Sequence, residues 1–276
     1  MKTIATIAIL FGAAAPGFAQ VADSWTGFYA GGRAGYSLHG KTRGEQQRFD
    51  TNLDGTFGDT VRTTTGANAF SPGFCAGAAR GTTPAAGCRK DDNGLEWAVN
   101  AGFDYDLGRI VVGGLAEFGA AYGEDAVSSF STTPASYTLT REQNYTYGLR
   151  GRVGLPIGPG RNTLPYLTAG AFKAAIKNRF YSTNGMNSFG VGGDHDAWGY
   201  RLGGGVEQRV QKHLSIGLLY LYSRIEGDDG ARVRVSRGTA AATSPFLLVN
   251  ANGTDIRRSY RGSDRHSLSV TANVRF

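Results

Sequence analysis

The chain has 276 residues, a formal net charge of +7 and a mean hydropathy of −0.26. After the N-terminal segment no apolar stretch is uninterrupted for the about 20 residues that a membrane-spanning helix needs, which excludes a helical membrane protein. The low mean hydropathy does not exclude a transmembrane β-barrel, because only alternate residues of each strand face lipid there.

The first segment has the features of a secretory signal peptide. Lys2 precedes an apolar stretch over residues 4–15, and small residues end at Ala19. The stretch is too short to span a membrane and suits a signal peptide, with cleavage expected after Ala19 and, as a weaker alternative, after Ala22. We predict a signal peptide over residues 1–19 and one β-barrel domain over residues 20–276. Export also argues against nucleic-acid binding as the reason for the pI of about 9.5.

Eight segments alternate apolar and polar residues with the period of two that is typical of strands. The pattern is clearest at the C-terminus, where Leu268, Val270 and Val274 alternate with Ser269 and Arg275. The predicted strands are 27–38, 95–107, 109–122, 144–155, 164–181, 198–210, 213–224 and 266–276. Each exceeds the about 9 to 11 residues that a tilted strand needs to cross lipid, where an open sheet edge is not tolerated. The sequence therefore predicts an all-β fold, an eight-stranded antiparallel up-and-down transmembrane barrel.

The connections between these strands alternate between long and short. The long ones are 38–94, 123–142, 182–196 and 227–265, and the short ones are 107–108, 156–162 and 211–212. This asymmetry is typical of barrels with long extracellular loops and short periplasmic turns, and it places both termini in the periplasm of a Gram-negative cell. In the last loop, residues 232–235 are expected to pair with 246–249 above the membrane. The alternative is that they add two strands to the barrel.

Aromatic residues are predicted to form a belt at each membrane interface. The outer belt comprises Tyr36, Trp97, Tyr122, Tyr145, Tyr147, Tyr181, Trp198, Tyr200, Tyr220 and Tyr222. The periplasmic belt comprises Phe28, Tyr105, Tyr166 and Phe276. A soluble β-sandwich would explain alternation and export, but neither the two belts nor the loop asymmetry.

Charged residues on the inward faces are the main candidate functional residues. They are Arg33, Asp104, Glu117, Arg150, Arg152, Lys173, Lys177, Arg201, Glu207 and Arg209. The interior of an eight-stranded barrel is just wide enough for its side chains, so these charges should pair and plug the lumen. The excess of basic residues leaves a narrow anion-preferring channel as the alternative.

The loops offer a disulfide and many arginines. Cys75 and Cys88 are expected to pair in an oxidising compartment. Lipopolysaccharide phosphates are candidate partners of the loop arginines, because a guanidinium donates bidentate hydrogen bonds to phosphate. These arginines are Arg43, Arg48, Arg62, Arg80, Arg89, Arg232, Arg234, Arg237, Arg257, Arg258 and Arg261.

An enzyme is not predicted. The His213-Leu214-Ser215 spacing is that of outer-membrane lipid A deacylases, but it falls at a periplasmic turn with Ser215 pointing inward, away from an outer-leaflet substrate. His39, His195 and His266 are expected at the surface. No metal site and no cofactor are predicted, because neither a ligand constellation nor a Gly-rich phosphate loop stands out.

Two terminal motifs carry a family resemblance. Residues 25–36, WTGFYAGGRAGY, and the final Val274-Arg275-Phe276 together resemble the small outer-membrane proteins grouped with the opacity proteins, the porin family and the OmpA transmembrane domain. The resemblance spans the exported chain and implies insertion by the outer-membrane assembly machinery, with Phe276 as part of the assembly signal. The long first loop and the two cysteines depart from the usual pattern, and the peptidoglycan-binding domain of OmpA is not expected.

These observations favour a structural or surface-interaction role in the cell outer membrane. The expected partners are outer-membrane lipids, lipopolysaccharide and the assembly machinery, with an extracellular ligand of unknown identity. A diffusion channel is the alternative, and a lipid-modifying enzyme is a remote one.

Overall fold

The computed structural model describes residues 24–40, 44–227, 232–260 and 262–276. The predicted signal peptide, Arg43 and Arg261 lie outside these residues. The described residues form sixteen strands: β1 (Gly27–His39), β2 (Gln47–Asp50), β3 (Gly73–Ala76), β4 (Ala78–Ala79), β5 (Cys88–Arg89), β6 (Gly94–Asp106), β7 (Val111–Ala121), β8 (Glu124–Ser131), β9 (Ala135–Gly154), β10 (Thr163–Ser182), β11 (Ser188–Val191), β12 (His195–Arg209), β13 (Leu214–Ile225), β14 (Val233–Ser236), β15 (Thr254–Arg258) and β16 (Ser263–Arg275). Short 3-10 helices occupy Pro84–Ala86, Pro159–Arg161 and Pro245–Leu247.

No helix in these ranges is both long enough and apolar enough to cross a membrane.

Eight long strands close into a barrel. Their order around it is β1, β6, β7, β9, β10, β12, β13 and β16, and every neighbouring pair is antiparallel. The first and last strands pair from Tyr29 opposite Arg275 to His39 opposite Arg265, which completes the ring. Closure leaves the eight described barrel strands without an unpaired edge between the first and the last. The predicted eight-stranded barrel is confirmed, and the addition of two strands from the last loop is wrong.

The strands have an apolar outer face and a polar inner face, as period-two alternation requires. Phe28, Val99, Leu149, Leu218 and Val270 are exposed on the outer face. Most residues of the predicted aromatic belts also point outward. Four representative exposed belt residues are Tyr36, Trp198, Phe28 and Phe276.

In strand β10, Tyr166 and Lys173 face the opposite way from the one expected, whereas Tyr181 is exposed as predicted. Tyr166, predicted for the periplasmic belt, is only 8% exposed and points into the lumen, while its neighbour Leu167 is exposed. Lys173 was predicted inside, but it faces outward, with its Nζ 5.5 Å from the Trp198 ring centroid and 3.8 Å from Asp196 Oδ2. Phe172 takes the inward position instead. Lys173 is therefore not part of the lumen network, and Lys177 shares its phase.

The long connections lie together at one end of the barrel and form a folded cap. The cap comprises β2 to β5, β8, β11, β14, β15 and the ends of β9 and β10 nearest to them. One sheet continues the barrel wall, with β8 on the extension of β9 and β3 on β8. The second sheet has the order β11, β14, β15, β2.

A register shift marks the transition from barrel to cap. Ala174 pairs with Thr146, whereas Ile176 pairs with Gln143, so β9 has one extra residue here. Such a bulge bends a strand and changes which residues face inward. On the barrel side of the bulge buried and exposed residues of β9 alternate, with Thr146 and Arg150 buried, whereas on the cap side every residue from 135 to 141 is buried.

The cap has its own hydrophobic core. Its buried members come from both sheets and from the intervening loops: Phe49, Val61, Ala69, Phe70, Val127, Ala135, Tyr137, Leu139, Val233, Val235, Phe246 and Ile256.

The predicted position of residues 232–235 above the membrane agrees with β14, but the predicted pairing with 246–249 is wrong. Strand β14 pairs with β11 and β15, and Phe246 packs into the core from the helix Pro245–Leu247.

A disulfide joins Cys75 at the end of β3 to Cys88 in β5. It closes a short loop on the cap, where β4 and β5 pair with each other. A crosslink of this length stabilises mainly by restricting the unfolded chain, by about 3 kcal/mol.

Because the cap has a separate core, Phe70→Ala should destabilise the cap by about 3–5 kcal/mol through loss of packing. The barrel should persist. Limited proteolysis of the folded protein would show faster cleavage in the cap, while heat-modifiable migration on gels would stay unchanged. Phe118→Ala, on the outer face of the barrel, is the control and should leave the cap resistant. Loss of heat-modifiable migration in Phe70→Ala would contradict a separate cap core.

Candidate functional site

One ionic cluster surrounds Glu117 in the half of the lumen nearer the cap. The Glu117 carboxylate accepts hydrogen bonds from Arg33 Nε at 3.1 Å, from Arg150 Nη2 at 2.9 Å and from Arg201 Nη1. Arg33 also donates to Glu96. The three arginines lie on β1, β9 and β12, so one carboxylate on β7 links strands on different sides of the barrel.

A second cluster lies nearer the short turns. Arg152 donates to Asp104 Oδ1 at 2.8 Å and to Glu207 Oε2 at 2.7 Å. Arg275 Nη2 lies 2.6 Å from Asp104 Oδ2 and 3.4 Å from Glu207 Oε1. Ser215 Oγ also donates to Glu207 at 2.5 Å. All five side chains are buried, and the two acids balance the two arginines.

Aromatic rings close the lumen at the turn end. Trp25 is fully buried, and its Nε1 donates to the Arg161 carbonyl at 2.8 Å. The guanidinium groups of Arg209 and Arg275 lie 4.1 and 4.7 Å from the centroid of its ring. Tyr29 accepts Arg152 over its ring at 4.6 Å. These cation–π contacts place an aromatic layer beneath the second ionic cluster.

Very little space remains between the two clusters. The cavity there has a volume of about 20 Å³ and is lined by Tyr29, Arg33, Arg150, Arg152 and Tyr166, among others. A cavity of that size has room for about one water molecule. The lumen is therefore filled by side chains, as expected for a barrel of eight strands.

Positive charge exceeds negative charge among the buried lumen residues described. The bases are Arg33, Arg150, Arg152, Arg201, Arg209, Arg265 and Arg275. The acids are Glu96, Asp104, Glu117 and Glu207. Within the described part of the chain, Nε and Nη1 of Arg265 make no hydrogen bond. Among these residues, seven arginines thus face four carboxylates.

A third ionic group joins the two sheets of the cap. Arg258 on β15 donates to Glu45 at 2.7 and 2.9 Å and to Asp125 on β8, and Arg141 Nη2 lies 2.6 Å from Asp125 Oδ2. Burial by itself would raise the pKa of Asp125, but Arg258 and Arg141 outweigh it and hold that pKa well below its usual range. Arg258, expected as an exposed loop arginine, is instead fully buried in this group.

The structure brings most of the predicted lumen residues together. Arg33, Asp104, Glu117, Arg150, Arg152, Arg201 and Glu207 all belong to the two clusters, and Arg209 closes the turn end. Glu96 and Arg275 were missed, although strand alternation places both on inward faces. Trp25 was also missed, because it precedes the first strand and no alternation indicates its direction.

The His213-Leu214-Ser215 sequence does not form a catalytic pair. Ser215 Oγ is directed to Glu207 inside the lumen, whereas His213 Nδ1 lies 2.9 Å from the carbonyl oxygen of Arg275. In the described ranges, no three His, Cys, Asp or Glu side chains are grouped as metal ligands.

Glu117→Gln should destabilise the barrel strongly, because three buried arginines lose their shared carboxylate. Breaking a buried ion pair costs about 3–5 kcal/mol. Urea unfolding of the protein reconstituted in lipid vesicles would measure the loss. The control is Glu124→Gln, whose partner Arg89 is half exposed and whose loss should cost less than about 1 kcal/mol. Equal unfolding midpoints for the two variants would show that Glu117 does not hold the lumen together.

The chain aligns at low similarity with several solved structures. OprG from Pseudomonas aeruginosa is 12% identical with a TM-score of 0.45, over 93% of this chain and 99% of that chain. Neisserial surface protein A is 12% identical with a TM-score of 0.39, over 91% and 98%. Ail, the attachment invasion locus protein of Yersinia pestis, is 9% identical with a TM-score of 0.30, over 89% and 99%.

No curated protein sequence matches the chain. The family model for the outer membrane protein beta-barrel domain matches residues 5–276, almost the whole length. With its closed eight-stranded barrel, apolar outer face and aromatic belts, this chain belongs to the outer membrane protein β-barrel domain family and resides in the outer membrane of a Gram-negative cell.

Proposed function

We propose that this protein is a non-conducting surface protein, in which the barrel anchors and supports an extracellular cap that makes the functional contacts. The filled lumen is the observation that carries the proposal, since the cavity between the ionic clusters has a volume of only about 20 Å³. A solute path would require several buried ion pairs to separate at once. Each separated charge would then lose both its partner and its solvent.

The architecture of the cap, which lies outside the membrane, also supports this proposal. It is a two-sheet structure with its own core rather than a set of independent loops. A rigid scaffold that presents loop segments is a common arrangement for binding surfaces. The cap therefore offers a large, preformed surface to the cell exterior.

Outer-membrane lipids, lipopolysaccharide and the assembly machinery are the partners we propose. Exposed cap arginines suit lipopolysaccharide phosphates, and they include Arg48, Arg62, Arg80, Arg89, Arg232, Arg234 and Arg237. Phe276 is 78% exposed on the outer face, while its backbone N–H donates to the Phe28 carbonyl at 3.0 Å. That exposed ring at the strand end is accessible to an assembly factor before the barrel closes.

A narrow anion-preferring channel is the second candidate. It is favoured by the excess of buried arginine over buried carboxylate in the lumen and by Nε and Nη1 of Arg265, which make no hydrogen bond to the described residues. We do not propose an enzyme, because Ser215 is directed into the lumen and away from any outer-leaflet substrate.

Single-channel recording in planar lipid bilayers tests the closed barrel. The wild-type protein should be silent, because its lumen is filled. The double variant Arg150→Ala with Arg152→Ala, checked for folding by heat-modifiable migration, is recorded beside it. Discrete wild-type openings whose anion preference falls in the variant would overturn the proposal and establish the channel.

Phe276→Ser should lower the amount of protein in the outer membrane severalfold, because the terminal aromatic ring is lost from the proposed assembly signal. Immunoblots of outer-membrane fractions would measure this. Val249→Ser, an exposed apolar change in the cap, is the control and should leave the level unchanged. Normal levels of the Phe276 variant would count against recognition of the terminal strand through this ring.

A further inference from the structure

The end of the cap farthest from the barrel contains a pocket of about 400 Å³, here called the cap pocket. Its lining comes from residues 63–70 before β3, 131–137 at the turn from β8 to β9, 183–187 after β10 and 240–246 after β14. All four extracellular connections thus contribute to one concavity. Its size lies in the range of small-molecule sites.

The cap pocket has no charged lining residue among those described, although the rest of the chain is rich in arginine. A charged ligand would lose its hydration there without gaining an opposite charge. That loss is costly when no ion pair replaces it. The lining therefore favours a neutral ligand over a charged one.

Hydroxyl and amide groups are abundant around the cap pocket. They belong to Thr63, Ser131, Thr132, Thr133, Thr183, Asn184, Asn187, Thr243 and Ser244. Part of this rim is held in place by internal hydrogen bonds. Asn184 Nδ2 donates to Tyr137 Oη and to Asn187 Oδ1, both at 3.0 Å, and Asn187 Nδ2 donates to the Ser236 carbonyl at 3.1 Å. The rim is thus preorganised to exchange hydrogen bonds with a ligand that has many hydroxyl groups.

The floor of the cap pocket is apolar. Phe70, Tyr137 and Phe246 pack against one another with ring centroids 5.2 to 5.8 Å apart, and methyl groups of Ala69 and Ala135 lie beside them. A ligand that fits this floor and this rim has one apolar face and a polar edge. A sugar ring has this character, since its C–H groups lie on the ring faces and its hydroxyls at the edge.

We propose that the cap pocket binds a neutral saccharide of one or two rings. The inference rests on the proposed function, because it assigns a ligand class to the cap of a surface protein. The four connections that form the site are brought together by the core of the cap, so the site exists only in the folded cap. The apolar part of the lining, with the nearly buried rings of Phe70, Tyr137 and Phe246 at its base, faces the C–H groups of the sugar, and the hydroxyl and amide rim faces its hydroxyl groups.

Saturation-transfer difference NMR on the whole protein in lipid nanodiscs tests the proposal. The probes are maltose and N-acetylglucosamine, with cationic glucosamine and anionic glucuronic acid as charged analogues. We expect saturation transfer to at least one neutral probe and at least tenfold weaker binding of the charged analogues.

Two variants, Ala241→Trp and Thr133→Phe, each place a large side chain in the pocket. They lie in different connections, so that if one variant does not fold the other can still be tested. Each should weaken binding of the neutral probe at least tenfold. The matched control is Ala251→Trp, an exposed alanine of the same connection as Ala241 but outside the pocket, and it should bind like the wild type. Heat-modifiable migration and resistance of the cap to protease verify folding.

Absence of transfer to both neutral probes, equal binding of the charged analogues, or undiminished binding by both filled variants would each overturn the inference. The recording of conductance is independent of these results. A silent barrel with an empty pocket would reject the saccharide site alone, whereas a conducting barrel that binds sugar at the cap would reject the closed lumen alone.

Discussion

The structure depends on the need to satisfy every backbone N–H and C=O group within lipid. Water is absent there, and each unpaired polar group would cost several kcal/mol. Eight strands meet this need only by pairing the first with the last, from Tyr29 opposite Arg275 to His39 opposite Arg265. Closure at eight strands also fixes the width of the lumen. An interior of this width is just large enough for the inward side chains, which fill it.

A filled lumen in turn constrains the charges within it. Glu117 accepts hydrogen bonds from three arginines, and Asp104 and Glu207 share Arg152 and Arg275, so that each of these charges is met by an opposite one from another strand. In our proposal, the same network that links the strands across the lumen also obstructs a solute path. The proposed function therefore lies at the extracellular end of the barrel and not in its lumen.

The cap follows from strands that do not stop at the membrane surface. Strands β9 and β10 continue beyond the barrel, and past the extra residue of β9 opposite Ala175 both faces of that strand are buried. Apolar residues such as Leu139 can then face a second sheet rather than solvent, and the two sheets enclose a core with Phe70 and Ile256. Because the core fixes four connections relative to one another, they can form a common pocket.

The sequence by itself determined the eight strands, the closed antiparallel order and most of the lumen charges, because alternation with period two is a local property that lipid and lumen impose on every strand. It did not determine the phase of β10, where Ala, Gly and Lys blur the alternation around Tyr166 and Lys173. It also did not reveal the cap. The core of the cap joins residues as distant as Phe49 and Ile256, and the bulge in β9 is visible only as a change in register with its neighbour. Such contacts depend on which strands meet in space, and only the tertiary structure decides that.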